Sequence, residues 1–287
     1  MTKTLLLLLV ALLGIAPAQA GETRRLIVKG VERTYYLHVP AKLQRGAPLV
    51  IMLHGSGENG EQAVPISGWQ YLADSRKNND SFIVVGPYGT LVDPNRPQAR
   101  DNQRYWNSGG PDTPPSVAKS DDVAFMIALI AEIKRMADID ERQVYVAGFS
   151  TGGNMANRLG QEIAGRLAAV SASGSTMMEL RAQPPSRGVP ILISAGSLDE
   201  VAMGVQRTIV QNWRTLNQCA AAQAIQAPPN VVIEVSRPCR NNSEVRSLIM
   251  QGVDHKWTTS TTEPIRLTNA SWEFFERFRL PTVPTGN

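Results

Sequence analysis

Apolar and polar positions alternate along this chain in two distinct periods. Pro48 to Leu53, Phe82 to Val85, Val144 to Ala147, Ala168 to Ser171 and Pro190 to Ser194 are short apolar runs without polar alternation. Strands covered on both faces of a parallel sheet read this way. Between them, Val123, Ile127, Ile130 and Ile133 recur at helical spacing behind Ser120-Asp121-Asp122, a helix-start signal. Val205, Ile209, Trp213 and Leu216 form a second such stripe. Each stripe is read as a core-facing helix side rather than a cofactor site. Ahead of this alternation, Arg25 to Val28 and Thr34 to Val39 predict a leading hairpin. Strands alternating with helices predict the α/β class, a mostly parallel sheet with helices on both faces. No repeat or Gly/Ser linker divides residues 21–287, so one domain is expected there.

The first twenty residues have a different pattern. Lys3 precedes an apolar run from Leu5 to Ile15, and Ala18-Gln19-Ala20 reads as a signal-peptidase site. The run is short for a membrane span, which takes about 20 residues. The expectation is a signal peptide over residues 1–20 and a secreted or periplasmic protein. No later segment is apolar enough to cross a membrane. The net charge of +4 is small and scattered, with no basic run interleaved with aromatics, which argues against nucleic-acid binding. Two cysteines, Cys219 and Cys239, fall in the exported part, where an even count favours a bridge between them.

Loop lengths add to this. Tyr88 to Lys119 is rich in Pro, Gly and Asn and lacks periodicity, and ordered loops of that length are usually functional. Ser173 to Val189 is too short to hold an inserted lid domain, so an open cleft is expected.

The chemistry concentrates in Gly148-Phe149-Ser150-Thr151-Gly152. This G-x-S-x-G ends an apolar strand and opens a helix through Met155, Leu159 and Ile163. That is the setting of the nucleophile elbow of the α/β-hydrolase fold. A serine hydroxyl needs a base to act as a nucleophile. The chain has three histidines, His38, His54 and His255, and only His255 follows Ser150. The fold's order of Ser, then Asp or Glu, then His therefore selects His255. The acid is expected after a strand between them, where PILISAGSLDEV offers Asp199, with Glu200 in reserve. Two backbone N–H groups must face the developing oxyanion. Thr151 and Ser56 are the expected donors, the latter in His54-Gly55-Ser56-Gly57, where His54 is read as a loop organiser. Trp106, Trp257 and Met177, with Met178, are candidate apolar or aromatic walls. No His, Cys or carboxylate cluster has metal-ligand spacing, and no cofactor is called for.

PLVIMLHGSGENG, YWNSGG, SDDVAFMIALIAEI, RQVYVAGFSTGGNMANRL, AGSLDEV and GVDHKW occur in the order found in a known family. Over most of residues 21–287 the chain resembles secreted poly(3-hydroxybutyrate) depolymerase-like and feruloyl-esterase-like hydrolases. The resemblance implies a Ser150, Asp199, His255 triad, a Cys219–Cys239 disulfide, and hydrolysis of small-molecule or oligomeric esters, hydroxyalkanoate or hydroxycinnamoyl. The chain departs from the family where cysteines are common, at Ser56 and Tyr105. It also reads Lys256-Trp257-Thr258-Thr259 where the family's histidine is commonly followed by Trp-Pro-Gly. Both departures border the substrate pocket. Two rivals are a serine peptidase of prolyl-oligopeptidase type, which needs a large extra domain, and a non-catalytic binding protein on the same fold, which should have lost a triad residue.

Overall fold

The computed structural model describes residues 21–76, 80–97, 103–111 and 113–282. The expected signal peptide over residues 1–20 lies outside them. The chain opens with β1 (Glu22–Val28), β2 (Val31–His38) and β3 (Ala47–Leu53), then the short helices α1 (Gly60–Ile66) and α2 (Trp69–Ser75). Next come β4 (Ile83–Pro87), a two-residue ribbon of β5 (Thr90–Leu91) and β6 (Arg104–Tyr105), α3 (Asp122–Met136) and β7 (Ile139–Phe149). The second half holds α4 (Thr151–Glu162), β8 (Ala169–Ser173), β9 (Ile191–Gly196) and α5 (Glu200–Leu216). It ends with β10 (Ala222–Ile225), β11 (Val231–Ser236), β12 (Val245–Met250) and α6 (Leu267–Phe275).

Ten strands form one sheet in the order β1-β2-β4-β3-β7-β8-β9-β12-β11-β10. The six central strands, β4 to β12, are parallel, and antiparallel strands extend the sheet at both ends. The leading hairpin forms as expected, with Arg25 opposite Thr34. It turns at Lys29-Gly30, where both φ angles are positive, the geometry that matches strand twist in two-residue turns.

Side-chain alternation sorts β3 into two cores. Leu49, Ile51 and Leu53 face a cluster completed by Phe125, Leu129 and Ile133 of α3, Met155 and Leu159 of α4, and Ile209 and Trp213 of α5. Val50 and Met52 face the opposite cluster, with Val64 of α1, Trp69 of α2, and Trp272, Phe274 and Phe275 of α6. Both faces of the central strands are therefore covered, which is why their sequences run apolar without a break. This is the α/β-hydrolase fold. The segment between β8 and β9 contains no helix, so no helical lid is inserted there.

Candidate active site

All the parallel strands end on one edge of the sheet, and the candidate residues gather there. Ser150 stands between β7 and α4 with φ +56° and ψ −121°. A non-glycine residue in this region is strained and persists only where its surroundings over-determine it. Two glycines make the turn possible. A Cβ on Gly148 would lie 2.1 Å from the Gly152 carbonyl oxygen, and one on Gly152 would lie 2.2 Å from that of Leu53. The Ser150 N–H donates to the Ser173 carbonyl at 2.9 Å, tying the elbow to the end of β8.

Asp199 and His255 meet across 56 residues. His255 Nδ1 lies 2.5 Å from Asp199 Oδ2. The carboxylate is 3% exposed and the imidazole 40%. Asp199 Oδ1 meanwhile accepts the Ala202 N–H at 3.1 Å and caps α5. Capping and contact with the histidine are thus shared between two oxygens of one carboxylate. Glu200, the reserve acid, is exposed in the first turn of α5. A carboxylate can only accept, so the hydrogen of this contact sits on His255 Nδ1.

The His255 ring packs against Phe149, with centroids 4.7 Å apart. Gly174, just past β8, makes room for both. Its φ is +57°, and a Cβ there would lie 2.9 Å from Phe149 and 3.2 Å from His255 Cε1. Ser150 and His255 therefore converge on the same two neighbours, Phe149 and the Ser173-Gly174 backbone. Among the described residues they are not hydrogen-bonded to each other. In hydrolases that contact is often long until substrate arrives.

The loop after β3 faces the nucleophile. A Cβ on Gly55 would fall 3.6 Å from Ser150 Cβ and equally far from Glu58 Oε2. The Gly55 N–H donates to Glu58 Oε2 at 3.2 Å, and the Gly57 N–H to the Arg104 carbonyl at 3.2 Å. Ser56, at the exposed tip, has an N–H with no acceptor among the described residues. The Thr151 N–H stands at the first turn of α4, where intrahelical acceptors are absent.

His54 organises this loop from beneath. It is fully buried, accepts the Gly89 N–H at Nε2 (2.8 Å) and donates from Nδ1 to the Gly55 carbonyl (2.6 Å). This pattern requires the neutral ring. Burial pushes its pKa down to about 4, with Arg104 adding to the effect and the Gly55 carbonyl opposing it.

Trp106, expected as a pocket wall, is 1% exposed. Its Nε1 donates to the His54 carbonyl at 2.9 Å and its ring lies 4.8 Å from the imidazole. It is a loop anchor rather than an open wall, because an indole that size is more stable inside the core with its one donor satisfied. Met177 is half-buried against Gly110 and Ser108 of the same loop. Trp257 is half-buried, donating from Nε1 to Thr268 Oγ1 at 2.8 Å.

The long loop is fastened by polar side chains for which the sequence predicts no such role. Buried Asp122 takes Arg33 at 2.6 Å and the Asn107 N–H at 2.7 Å. Arg158 and Arg181 donate to the carbonyls of Asn107 and Ser108, each at 2.6 Å. Asn154 Oδ1 receives the N–H groups of Thr176 and Met177, fixing the segment that follows Gly174. The signal for Asp122, Asn154 and Arg158 is polar residues on the inward side of α3 and α4, whereas Arg33 and Arg181 lie outside those helices.

No protein-family model matches the chain. It is 24% identical over 269 residues to a bifunctional acetylxylan esterase/xylanase of Neocallimastix patriciarum, covering 90% of this chain and 36% of that protein. It is 26% identical over 271 residues to feruloyl esterase B of Piromyces equi, covering 81% and 45%. The chain thus spans less than half the length of these curated relatives. An acetyl xylan esterase from Aspergillus awamori superposes with a TM-score of 0.63 at 15% identity, covering 89% of this chain and 99% of that one.

Proposed function

We propose that this chain is a serine esterase that cleaves acetyl or hydroxycinnamoyl esters carried on a polysaccharide. The observation that carries the reading is the His255–Asp199 contact of 2.5 Å beside a serine on a strained elbow. In the proposed reaction His255 Nε2 accepts the Ser150 proton as Oγ attacks the ester carbonyl carbon. The oxyanion takes the N–H groups of Thr151 and Ser56. Collapse expels the alcohol, which receives its proton from His255, and leaves the acyl group on Ser150. Water then attacks the acyl-enzyme, with His255 again as base, releasing the acid. Asp199 remains ionised and holds the imidazole in the useful tautomer.

The substrate class draws on the relatives, whose names give acetylxylan for one and feruloyl esters for the other, and hydroxyalkanoates for neither. The Cys219–Cys239 disulfide supports export, since such bridges persist in oxidising compartments.

Hydrolysis of 4-nitrophenyl acetate, methyl ferulate and a 3-hydroxybutyrate trimer tests the reading, with a fluorophosphonate probe to report the nucleophile. The first two should be turned over faster than the third. Ser150→Ala should abolish both labelling and turnover. Undiminished hydrolysis by Ser150→Ala would remove the mechanism.

A further inference from the structure

A second concavity lies away from Ser150, between α1, α2 and the chain that follows His255. Its volume is about 500 Å³, within the roughly 300–1,000 Å³ range of ligand sites. Ile66, Tyr71 and Leu72 line one side, and Thr259, Arg266 and Asn269 the other.

Two features set this cleft apart from ordinary surface. Ile66 is 61% exposed and Tyr71 64%, so an aliphatic and an aromatic side chain stand unburied at one place. The Tyr71 hydroxyl and, across the cleft, the Arg266 guanidinium and the Asn269 amide form no hydrogen bond or ion pair among the described residues. Apolar surface joined by a few convergent, uncommitted polar groups is the composition of a small-molecule site. Among the described lining residues Arg266 carries the one charge and none is a carboxylate.

One hydrogen-bonded link joins the cleft to the loop that carries His255. Thr268 in its floor accepts the Trp257 Nε1–H at 2.8 Å and donates to the Ser67 carbonyl. Trp257 is two residues beyond His255. The loop that carries His255 therefore runs on into Thr259 of the cleft wall.

We infer that this cleft is a saccharide-binding subsite that holds pyranose rings of the chain bearing the scissile ester. The inference rests on the esterase reading above for the ester, and on the cleft alone for the sugar. A pyranose ring offers an apolar C–H face to an aromatic plane and a rim of hydroxyls to amide and guanidinium donors. That is the division of surfaces found between Tyr71 on one side and Arg266 with Asn269 on the other. With Arg266 and no carboxylate among the described lining residues, the cleft accepts neutral and acidic sugars and disfavours cationic ligands.

The test separates sugar binding from ester chemistry. Xylohexaose, which carries no ester, is titrated by calorimetry into Ser150→Ala protein with and without Tyr71→Ala. Tyr71→Ala should weaken binding about fivefold, equivalent to roughly 1 kcal/mol. In the active protein, Tyr71→Ala and Arg266→Ala should leave kcat/KM for methyl ferulate within about twofold. Both should raise KM for a feruloylated xylo-oligosaccharide about fivefold, with kcat held. An exposed side chain can be truncated without unfolding the protein, and unchanged melting temperatures check this. Absent xylohexaose binding, or binding that Tyr71→Ala leaves intact, overturns the subsite. Should the wild type hydrolyse neither ester, the esterase reading fails, while the titration still decides whether the cleft takes sugar.

Discussion

Asp199 holds His255 Nδ1 through one carboxylate oxygen at 2.5 Å and caps helix α5 through the other, at 3.1 Å from the Ala202 nitrogen. The two tasks can be separated by substitution. Asp199→Asn keeps an acceptor for the cap but cannot accept from Nδ1–H and hold the imidazole's charge at once. It should lower kcat by about 10³–10⁴-fold with little change in melting temperature. Asp199→Ala should match that loss and also cost about 1 kcal/mol of stability from the missing cap. Glu200→Gln should keep near-wild-type turnover. Kinetics and thermal melts of the three variants check this, and a kcat for Asp199→Asn close to wild type would reassign the acid.

His54 makes stability depend on pH. Its folded pKa of about 4 lies below the unfolded value of about 6.5, so the unfolded chain binds its proton first as pH falls. Stability is undiminished above pH about 6.5 and declines down to about 4. The loss from this one buried group is about 3 kcal/mol. His54→Gln removes the titration. It should be less stable than wild type at pH 7, and that gap should narrow by about 3 kcal/mol between pH 7 and pH 4. Urea unfolding at both pH values measures it. A gap that stays constant would show that His54 is not held neutral.

How much of this was legible depended on the kind of signal. The central strands were visible because two-sided burial leaves unbroken apolar runs, and β3, β4, β7, β8 and β9 all fall on the predicted runs. The outer strand β11 was not singled out, because it is half-solvated. Val231, Ile233 and Val235 are buried while Val232 and Glu234 face water, and Glu234 cuts the apolar run to three residues. Ser150, Asp199 and His255 are proposed as a triad from their order and the scarcity of histidines, and the structure brings the last two into contact. The roles of Gly174, Asn154 and Asp122 could not be read in this way, because they rest on contacts between segments far apart in the chain. Trp106 was misjudged for a related reason. An aromatic residue in a polar loop reads as exposed until a buried acceptor, the His54 carbonyl, is found for its N–H.

Glu244 predicts a second, more acidic limit to stability. It is buried at the start of β12, 2.6 Å from Arg277 and 2.8 Å from Arg246. Burial works to raise its pKa, but the two guanidinium groups outweigh it and hold the carboxyl below the ordinary glutamate value. A depressed folded pKa means the contribution is complete above the unfolded value of about 4.3 and is lost as pH falls through the folded one. Glu244→Gln leaves two arginines facing a neutral amide and should cost about 3 kcal/mol at pH 7. Its deficit against wild type should shrink below pH 4. Denaturant unfolding at pH 7 and pH 3.5 tests this, and a variant as stable as wild type at pH 7 would contradict it.

The Cys219–Cys239 bridge should stabilise the fold without touching turnover. It closes a loop with a sequence separation of 20 residues, for which loss of unfolded-state entropy is worth about 3 kcal/mol. Its position argues for the independence of activity. Helix α5 begins beside Asp199 and runs 17 residues away from it, a distance of about 25 Å at the helical rise. Cys219 follows the far end of that helix, and Cys239 precedes the start of β12, whereas His255 follows the finish of β12. The bridge therefore ties the edge of the sheet opposite the candidate site. The Cys219→Ser, Cys239→Ser double variant should melt several degrees lower than wild type and hydrolyse 4-nitrophenyl acetate with unchanged kcat/KM at 25 °C. A loss of activity at temperatures where the double variant is still folded would mean that the opposite edge positions His255.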